Sequence, residues 1–374
     1  MAIDFVKVLN ANRETIGIID TAKSVIWHSV WFGVGDFEIY AKATAEHLQF
    51  LSVGNYVTRN NDIEVGIIES VAVTNSVQDG AMITATGRFA KSILDRRLIY
   101  NLTGNSNKAT VLRGKVESAA RDLVANNAIS CTFDTRRNFP ILELGALNNY
   151  PEKIVDDKGY AAEKQVSYQN LLEYSDNLLA EYGFSAVVIL DDDTKKLQYI
   201  VLKGVDRSSD NSDGNEPVIF SRDYDNLSDS EYFYDTANIK NAALIGGEGE
   251  GIARFYSLIA PDETGLQRRE LFVDASSIAK KYTEGETEIE YTDEEYTAML
   301  NTQGKQELAP LTEKESFSGT IIVTDGNYIL NEDFALGDLV TVQENSINKF
   351  INVRITEVTE VQDENGYTVD VVYQ

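Results

Sequence analysis

The stretch that decides the fold is Val53–Gly87, VGNYVTRNNDIEVGIIESVAVTNSVQDGAMITATG. A similar stretch ends the chain, Leu336–Gln374, LGDLVTVQENSINKFINVRITEVTEVQDENGYTVDVVYQ. Both begin Gly-x-x-Val-Thr, continue through a polar turn into an alternating strand with Ile-x-x-Val, and reach Val-Gln-Asp before a last glycine turn and strand. Hairpins resemble one another, so chance is the alternative explanation. The shared order of features favours a duplicated β domain.

Duplication has a geometric consequence. Closed homo-oligomers obey point-group symmetry, so three copies of a chain with two related domains present six similar domains around a threefold axis. Such a pseudo-sixfold ring is what an adaptor needs between a sixfold and a threefold structure.

The rest of the chain alternates between two periodicities. Short alternating strands separated by polar turns fill the first part of the chain, a pattern typical of a barrel or sandwich. Helical spacing follows at 111–124 and in a second helix, for which Ser167 is the predicted cap. The polar segment 206–216 is the most linker-like, and a capping box at 292–295 predicts a later helix.

These patterns predict an α+β fold that is mainly β, with two β-barrel or sandwich domains. The predicted divisions are a first β domain at 1–100, an α+β domain at 101–216, a second β domain in two pieces at 217–275 and 317–374, and a helical insert at 276–316.

Composition excludes several classes of function. The net charge of −27 repels nucleic acid and anionic membranes. An acidic surface serves solubility, and it also suits a protein past which nucleic acid slides. One cysteine and two histidines exclude an internal disulfide and a histidine-rich metal centre. We see no signal peptide and no apolar run of ~18 residues, so we expect a soluble chain without membrane insertion, made in a cytoplasm.

Catalytic motifs are missing from the sequence. It contains no HExxH, GxSxG or Walker loop, and carboxylate pairs carry no weight among 60 acidic residues. A calcium-loop pattern beginning at Ser209 has serine at its first position and Phe220 at its twelfth, where aspartate and glutamate are required. We therefore expect no catalytic residue, no cofactor, no metal and no enzymatic activity.

The stretch LIGGEGEGIARF, 244–255, suggests a phosphate loop at first sight. Its spacing is neither a Walker loop nor GxGxxG, and its two glutamates repel phosphate. The pattern at 252–259 indicates a strand rather than a helix, so the glycines predict a hairpin turn or a bulge where backbones approach closely. Glu248 and Glu250 are candidate ring or lumen carboxylates, or alternatively partners of Arg254 or Arg268. The candidate interface or lumen residues are Glu248, Glu250, Arg254, Arg268 and Arg269.

A resemblance to a known family rests on motifs in a fixed order. They are Ser221–Leu227 (SRDYDNL), Asn241, Gly247–Gly251 with Arg254, and Gly265–Ala275 with Arg268 and Arg269. Together they resemble the tail-tip hub family of long-tailed bacteriophages. The start of the chain, Ser24–Ile39, and the strand Leu336–Val340 are also similar to that family, so the resemblance spans most of the chain.

The resemblance implies a homotrimeric baseplate hub at the virion tail tip, synthesised in the bacterial host cytoplasm. Its two β domains would be of the tail-tube type, and its ring would continue the tail tube. The implied partners are a distal tail or tail-tube protein, a spike, fibre or lysin, and DNA that passes without specific binding. Longer relatives carry an appended enzyme domain; because this chain ends straight after its last hub-like strand, we expect none here.

Two other classes of function stay open at this point. One is a cell-wall hydrolase carried on the virion, against which the missing motifs argue. The other is a receptor- or carbohydrate-binding tip protein, in which some of the 19 tyrosines would stack on sugars.

Overall fold

The computed structural model of the chain describes residues 3–60, 62–78, 80–101, 109–155, 161–260, 262–284, 287–322 and 327–373. Asp79, the end of the first Val-Gln-Asp, lies outside these residues. The described chain is mainly β, as the sequence predicted.

The first β domain is built from antiparallel strands and a short α-helix. Its elements are β1 (Val6–Leu9), β2 (Thr15–Ile19), β3 (Ser24–Val30), β4 (Asp36–Lys42), α1 (Ala45–Phe50), β5 (Tyr56–Arg59), β6 (Gly66–Ser76) and β7 (Gly80–Phe89). Strands β1 and β2 form the predicted hairpin. Helix α1 begins where Thr44 Oγ1 accepts a hydrogen bond from the His47 N–H at 3.1 Å.

The middle domain mixes helices and strands. Its elements are β8 (Thr110–Arg113), α2 (Val116–Val124), β9 (Leu142–Leu144), β10 (Glu163–Val166), α3 (Leu171–Ala180), β11 (Phe184–Leu190) and β12 (Leu197–Lys203). The predicted cap of the second helix, Ser167, is wrong. Asn170 caps α3, because its Oδ1 accepts from the N–H groups of Leu172 at 2.9 Å and Glu173 at 3.2 Å.

The remainder of the chain contains most of the strands. They are β13 (Ile219–Ser221), β14 (Leu227–Asp235), β15 (Ala242–Gly246), β16 (Tyr256–Ile259), β17 (Glu270–Asp274), β18 (Lys281–Glu284), β19 (Thr287–Glu290), β20 (Lys314–Ile321), β21 (Leu339–Glu344), β22 (Lys349–Asp363) and β23 (Gly366–Tyr373), with α4 (Asp293–Leu308) before β20. Helix α4 starts at the predicted capping box of Thr292 and Glu295.

One sheet of thirteen described strands runs through both β domains. Its order is β14-β20-β23-β22-β3-β4-β7-β6-β5-β1-β2, and β21 with β13 extends from β22. The two domains keep separate cores on this sheet: Trp27 and Phe37 lie in the first, and Phe220 and Phe317 lie in the second. The shared sheet makes the two domains neighbours through backbone hydrogen bonds.

A smaller unit interrupts the second β domain. Strands β16, β15 and β17 form their own sheet, and Ile245 and Val273 pack with Tyr296 and Leu300 of α4 in a separate core. The sequence predicts 217–275 as one piece of the second β domain. Within that piece, β15, β16 and β17 form a sheet of their own, and Ile245 and Val273 pack against α4.

The linker-like segment 206–216 is fixed to the second β domain. The Ser209 N–H donates to Thr341 Oγ1 at 2.9 Å, and Asn352 Nδ2 donates to Asp210 Oδ1 at 2.6 Å. The connection between the middle and second β domains is therefore held against β21 and β22.

Candidate assembly surface

The sequence repeat is a structural repeat. Gly54 and Gly337 both adopt φ of +91°. The Gly54 N–H donates to the Ile68 carbonyl at 2.8 Å, and the Gly337 N–H donates to the Ile355 carbonyl at 2.9 Å. Each isoleucine N–H returns a 2.9 Å bond to the residue after its glycine, Asn55 or Asp338. The two stretches therefore enter their long strands through the same backbone geometry.

The correspondence continues along the long strands. Strand β6 has a register shift against β7 between Ile68 and Ser70, and β22 has one against β23 between Ile355 and Glu357. A β-bulge at the same point of each hairpin fixes the alignment of the two domains residue by residue. Ser70 thus corresponds to Glu357.

The strands on the other side of each hairpin also correspond. Trp27 on β3 is paired with Phe37 on β4, with ring centroids 5.8 Å apart. Tyr232 on β14 is paired with Phe317 on β20, again at 5.8 Å. Strands β3, β4, β7 and β6 of the first domain therefore match β14, β20, β23 and β22 of the second.

The two domains meet where β22 pairs with β3. The pairing is antiparallel and runs from Glu357 opposite Val30 to Asp363 opposite Ser24. Strand β21 occupies the same edge of β22 up to Arg354, and β3 continues along that edge. One domain of the pair therefore presents its long strand, and the other presents the strand that corresponds to β14.

A charged cluster is buried beneath this junction. Arg59 Nη2 contacts Asp62 Oδ2 at 2.8 Å and also pairs with Glu360, whose other oxygen accepts from the Tyr367 hydroxyl. The side chains of Arg59 and Glu360 are only 2% and 5% exposed, and the Arg59 guanidinium lies 5.4 Å from the Trp27 ring centroid. Burial raises the pKa of Glu360, and the charge of Arg59 opposes that shift.

Glu64 lies next to this cluster, where the first β domain meets the middle domain. Its backbone bridges to Ile189, and its Oε2 accepts a hydrogen bond from Ser29 Oγ at 2.6 Å. Burial, with the nearby charge of Asp62, raises the pKa of the Glu64 carboxyl from 4.5 to about 8. Glu64 is therefore mostly protonated at neutral pH.

Sequence reasoning missed Arg59, Glu64 and Glu360. The only signal for Glu360 was a charge at an inward position of an alternating strand. Its partner Arg59 is 301 positions away, so no local pattern connects the two.

The glycine stretch forms the predicted hairpin turn between β15 and β16. The Gly247 N–H donates to the Phe255 carbonyl at 2.8 Å, and the Phe255 N–H donates to the Glu248 carbonyl at 3.0 Å. A Cβ at Gly246 would lie 2.7 Å from the Arg254 guanidinium, and one at Gly247 would lie 2.7 Å from the Tyr296 hydroxyl. Glycine is needed here because side chains pack onto the backbone.

Glu248 and Glu250 lie on this turn and are exposed. Glu248 Oε2 accepts a hydrogen bond from the Lys280 N–H at 2.7 Å. Arg254, one of the partners that the sequence suggested for them, instead pairs with Asp274 and donates to the carbonyls of Gly246 at 2.9 Å and Gly247 at 3.1 Å.

The other two arginines also have partners within the chain. Arg268 pairs with Glu270 at 2.7 Å. Arg269 donates from its side chain to the Thr236 carbonyl, and its backbone N–H donates to Asn241 Oδ1 at 2.8 Å. The family motif residues therefore hold the ends of β15–β17 together.

A cleft of about 860 Å³ separates α4 from the middle domain. Lys164 lies in its wall and pairs with Glu181, and burial lowers the pKa of Lys164. Within the described ranges, no three His, Cys, Asp or Glu side chains are grouped as metal ligands. Among the same residues, no helix combines the length and the apolar character that a membrane crossing requires.

Two solved structures share this architecture over nearly the whole chain. A tail protein from Neisseria meningitidis MC58 is 15% identical, with a TM-score of 0.53, covering 99% of this chain and 95% of its own. The 43 kDa tail protein of prophage MuSo2 from Shewanella oneidensis is 10% identical, with a TM-score of 0.54, covering 99% and 98%. The fold is thus that of phage tail proteins.

The sequence defines the family within that class. Residues 5–373 match the model of the Siphovirus ReqiPepy6 Gp37-like protein family, and the chain belongs to that family. No curated protein matches the sequence. The predicted resemblance to phage tail proteins is confirmed, and membership implies a location in the virion tail.

Proposed function

We propose that this tail protein is the hub of a tail tip or baseplate, in which three copies form a ring of six β domains. The observation that carries the proposal is the side-by-side placement of two equivalent β domains in one sheet through β22 and β3. A contact that repeats between equivalent domains closes into a ring when the rotation fits. Three chains with two domains each provide the six positions of a hexameric tube.

The ring would continue the tail tube on one side and attach a spike, fibre or lysin on the other. DNA would pass through its centre, and the net charge of −27 supports passage without binding. Glu248 and Glu250 are candidate ring or lumen carboxylates, since both are exposed on a turn that Arg254 braces. Arg254, Arg268 and Arg269 are candidates for interface or lumen residues.

In this proposal the protein has a structural role, and the partners of the ring are the tail proteins above and below it. The family and the two solved tail proteins support a structural rather than an enzymatic role. Release of peptidoglycan fragments by the purified chain would instead favour a cell-wall hydrolase. Binding of the isolated chain to host cells would favour a receptor-binding tip protein.

Native mass spectrometry and electron microscopy test the ring directly. We expect a trimer at micromolar concentration and a ring with a central hole. A stable monomer under those conditions contradicts the proposal. The double variant Glu248→Lys with Glu250→Lys should keep the trimer intact and should slow DNA ejection from assembled particles if these carboxylates line the lumen. Unchanged ejection would show that they do not line the lumen.

A further inference from the structure

In the part of the chain that the structure describes, two strand edges are left open at opposite ends of the repeated arrangement. Strand β14 is the last strand of its sheet and pairs with β20 on one side. Strand β6 pairs with β7 along its length, whereas β5 covers its other edge only at Gly66 and Ile67. Among the described strands, none occupies the edge of β6 from Ser70 to Asn75. Open edges offer unpaired backbone groups to another strand.

The repeat shows what fits the open edge of β6. In the second domain the corresponding edge, from Glu357 onward, is occupied by β3. Strand β14 is the counterpart of β3, because Tyr232 opposite Phe317 matches Trp27 opposite Phe37. Strand β14, which matches β3, therefore has an open edge, and it lies on the same chain as the open edge of β6.

We propose that β6 of one copy pairs antiparallel with β14 of a second copy, with Val71 opposite Tyr234 and Ala72 opposite Phe233. The register follows from the junction within the chain. There Val358 lies opposite Ser29 and Thr359 opposite His28. The bulge equates Val71 with Val358, and the aromatic pairs equate Tyr234 with Ser29. This contact rests on the proposed ring and specifies its interface.

The side chains at the two edges fit this pairing. Val73 is 55% exposed on β6, and Phe233 and Tyr234 are 47% and 50% exposed on β14. The register places Val73 opposite Tyr232, so apolar and aromatic surface is covered on both faces of the new pair. Aromatic and β-branched cross-strand pairs stabilise antiparallel sheets.

Charge explains why each edge selects the other. Strand β14 carries Asp229, Glu231 and Asp235, whereas β6 has no charged residue from Ser70 to Asn75. Two β14 edges would bring like charges together, which destabilises a sheet. The matching segment of β22 does carry acidic residues, Glu357, Glu360 and Asp363, but its partner β3 has none. Each junction thus joins an acidic strand to a strand without acidic residues.

Paired cysteines test the register in the full chain. One variant carries Val71→Cys with Tyr234→Cys, and a second carries Ala72→Cys with Phe233→Cys, both with Cys131→Ala to remove the native thiol. Adjacent antiparallel pairs alternate between wider and closer spacing, so one of the two variants has the closer geometry that a disulfide needs. Mild oxidation should convert most of that variant into covalent dimers and trimers.

The matched control shifts one cysteine by a residue. In Ala72→Cys with Tyr234→Cys the two side chains lie on opposite faces of the sheet, so this variant should stay uncrosslinked. Single variants Ala72→Cys and Phe233→Cys should also stay monomeric on a denaturing gel. Covalent dimers from either single variant would indicate an edge paired with itself and would overturn the inference.

Native mass spectrometry of the same samples separates the inference from the ring. A trimer in which neither designed pair crosslinks overturns the β6–β14 register and leaves the ring standing. A protein that stays monomeric contradicts both. A trimer in which a designed pair crosslinks and the shifted control does not supports both.

Discussion

Arg59 of the first β domain and Glu360 of the second form a buried ion pair across the seam where β22 joins β3. The side chains are 2% and 5% exposed, and Asp62 supplies a second carboxylate to Arg59. Removing the guanidinium would leave two carboxylates together in a site that water does not reach. A buried charge without its partner is costly, so the stability of the junction between β22 and β3 depends on the Arg59–Glu360 pair.

Arg59→Met should therefore lower the free energy of unfolding by about 3–5 kcal/mol. Urea denaturation of the variant and the native protein measures the difference. Arg113→Met is the matched control, because Arg113 pairs with Glu163 at the surface, where its side chain is 76% exposed. We expect about 1 kcal/mol or less for the control. Equal effects of the two substitutions would show that the buried Arg59–Glu360 pair stabilises the fold no more than a surface ion pair does.

Glu64 should make stability depend on pH in the direction opposite to an ordinary salt-bridged carboxylate. Its pKa is about 8 in the folded chain and 4.5 in the reference state, so the folded chain holds a proton that the unfolded chain has released. Its contribution is full below about pH 4.5 and is lost as the pH rises through about 8.

Glu64→Gln should remove this dependence because the amide stays neutral. Between about pH 5 and pH 8, the stability of the native protein should fall relative to that of the variant by roughly 3 kcal/mol. Denaturant unfolding at several pH values gives the comparison. The exposed Glu364 provides the control Glu364→Gln, which should track the native protein. A parallel pH profile for native protein and Glu64→Gln would contradict a raised pKa.

The corresponding glycines of the repeat, Gly54 and Gly337, have the same backbone conformation but different neighbouring atoms. Both have φ of +91°, but a Cβ at Gly54 meets nothing within 4 Å, whereas one at Gly337 would lie 2.3 Å from the Trp31 ring. Gly54→Ala should cost about 1–2 kcal/mol for the left-handed backbone. Gly337→Ala should cost about 1–3 kcal/mol more for the clash. Calorimetry or urea unfolding would test the order, and an equal loss at both sites would reject the Trp31 contact.

Arg254 should matter for its geometry as well as for its charge. Its guanidinium reaches two carbonyls of the glycine turn and the Asp274 carboxylate. A lysine keeps the charge but cannot reproduce the planar set of donors. Arg254→Lys should therefore speed hydrogen exchange in the β15–β16 hairpin by about tenfold or more, a loss of roughly 1–2 kcal/mol.

Arg268→Lys serves as the control for Arg254, since Arg268 makes a single surface pair with Glu270. Its exchange rates should change little. If both lysine variants exchange alike, the brace over the glycine turn is not what orders the hairpin.

Local patterns predicted much of this chain because their causes are local. The α4 capping box involves residues three apart, and the glycine turn joins two strands that follow one another in the sequence. The cap at Ser167 failed because Asn170, three residues on, has an equally suitable side chain and satisfies two N–H groups. Alternation of apolar residues predicts a strand but does not say which sheet the strand joins, so the separate sheet of β15, β16 and β17 could not be predicted from it.

The sequence by itself determined the duplication, the mainly β character and the family motifs, because each is written in the order and spacing of residues along the chain. Only the tertiary structure decided that β22 lies against β3, that Arg59 meets Glu360, and that β6 and β14 keep open edges. Strand pairing is made by backbone groups that every residue carries, so partners distant in sequence are chosen by burial and by the register of the whole sheet.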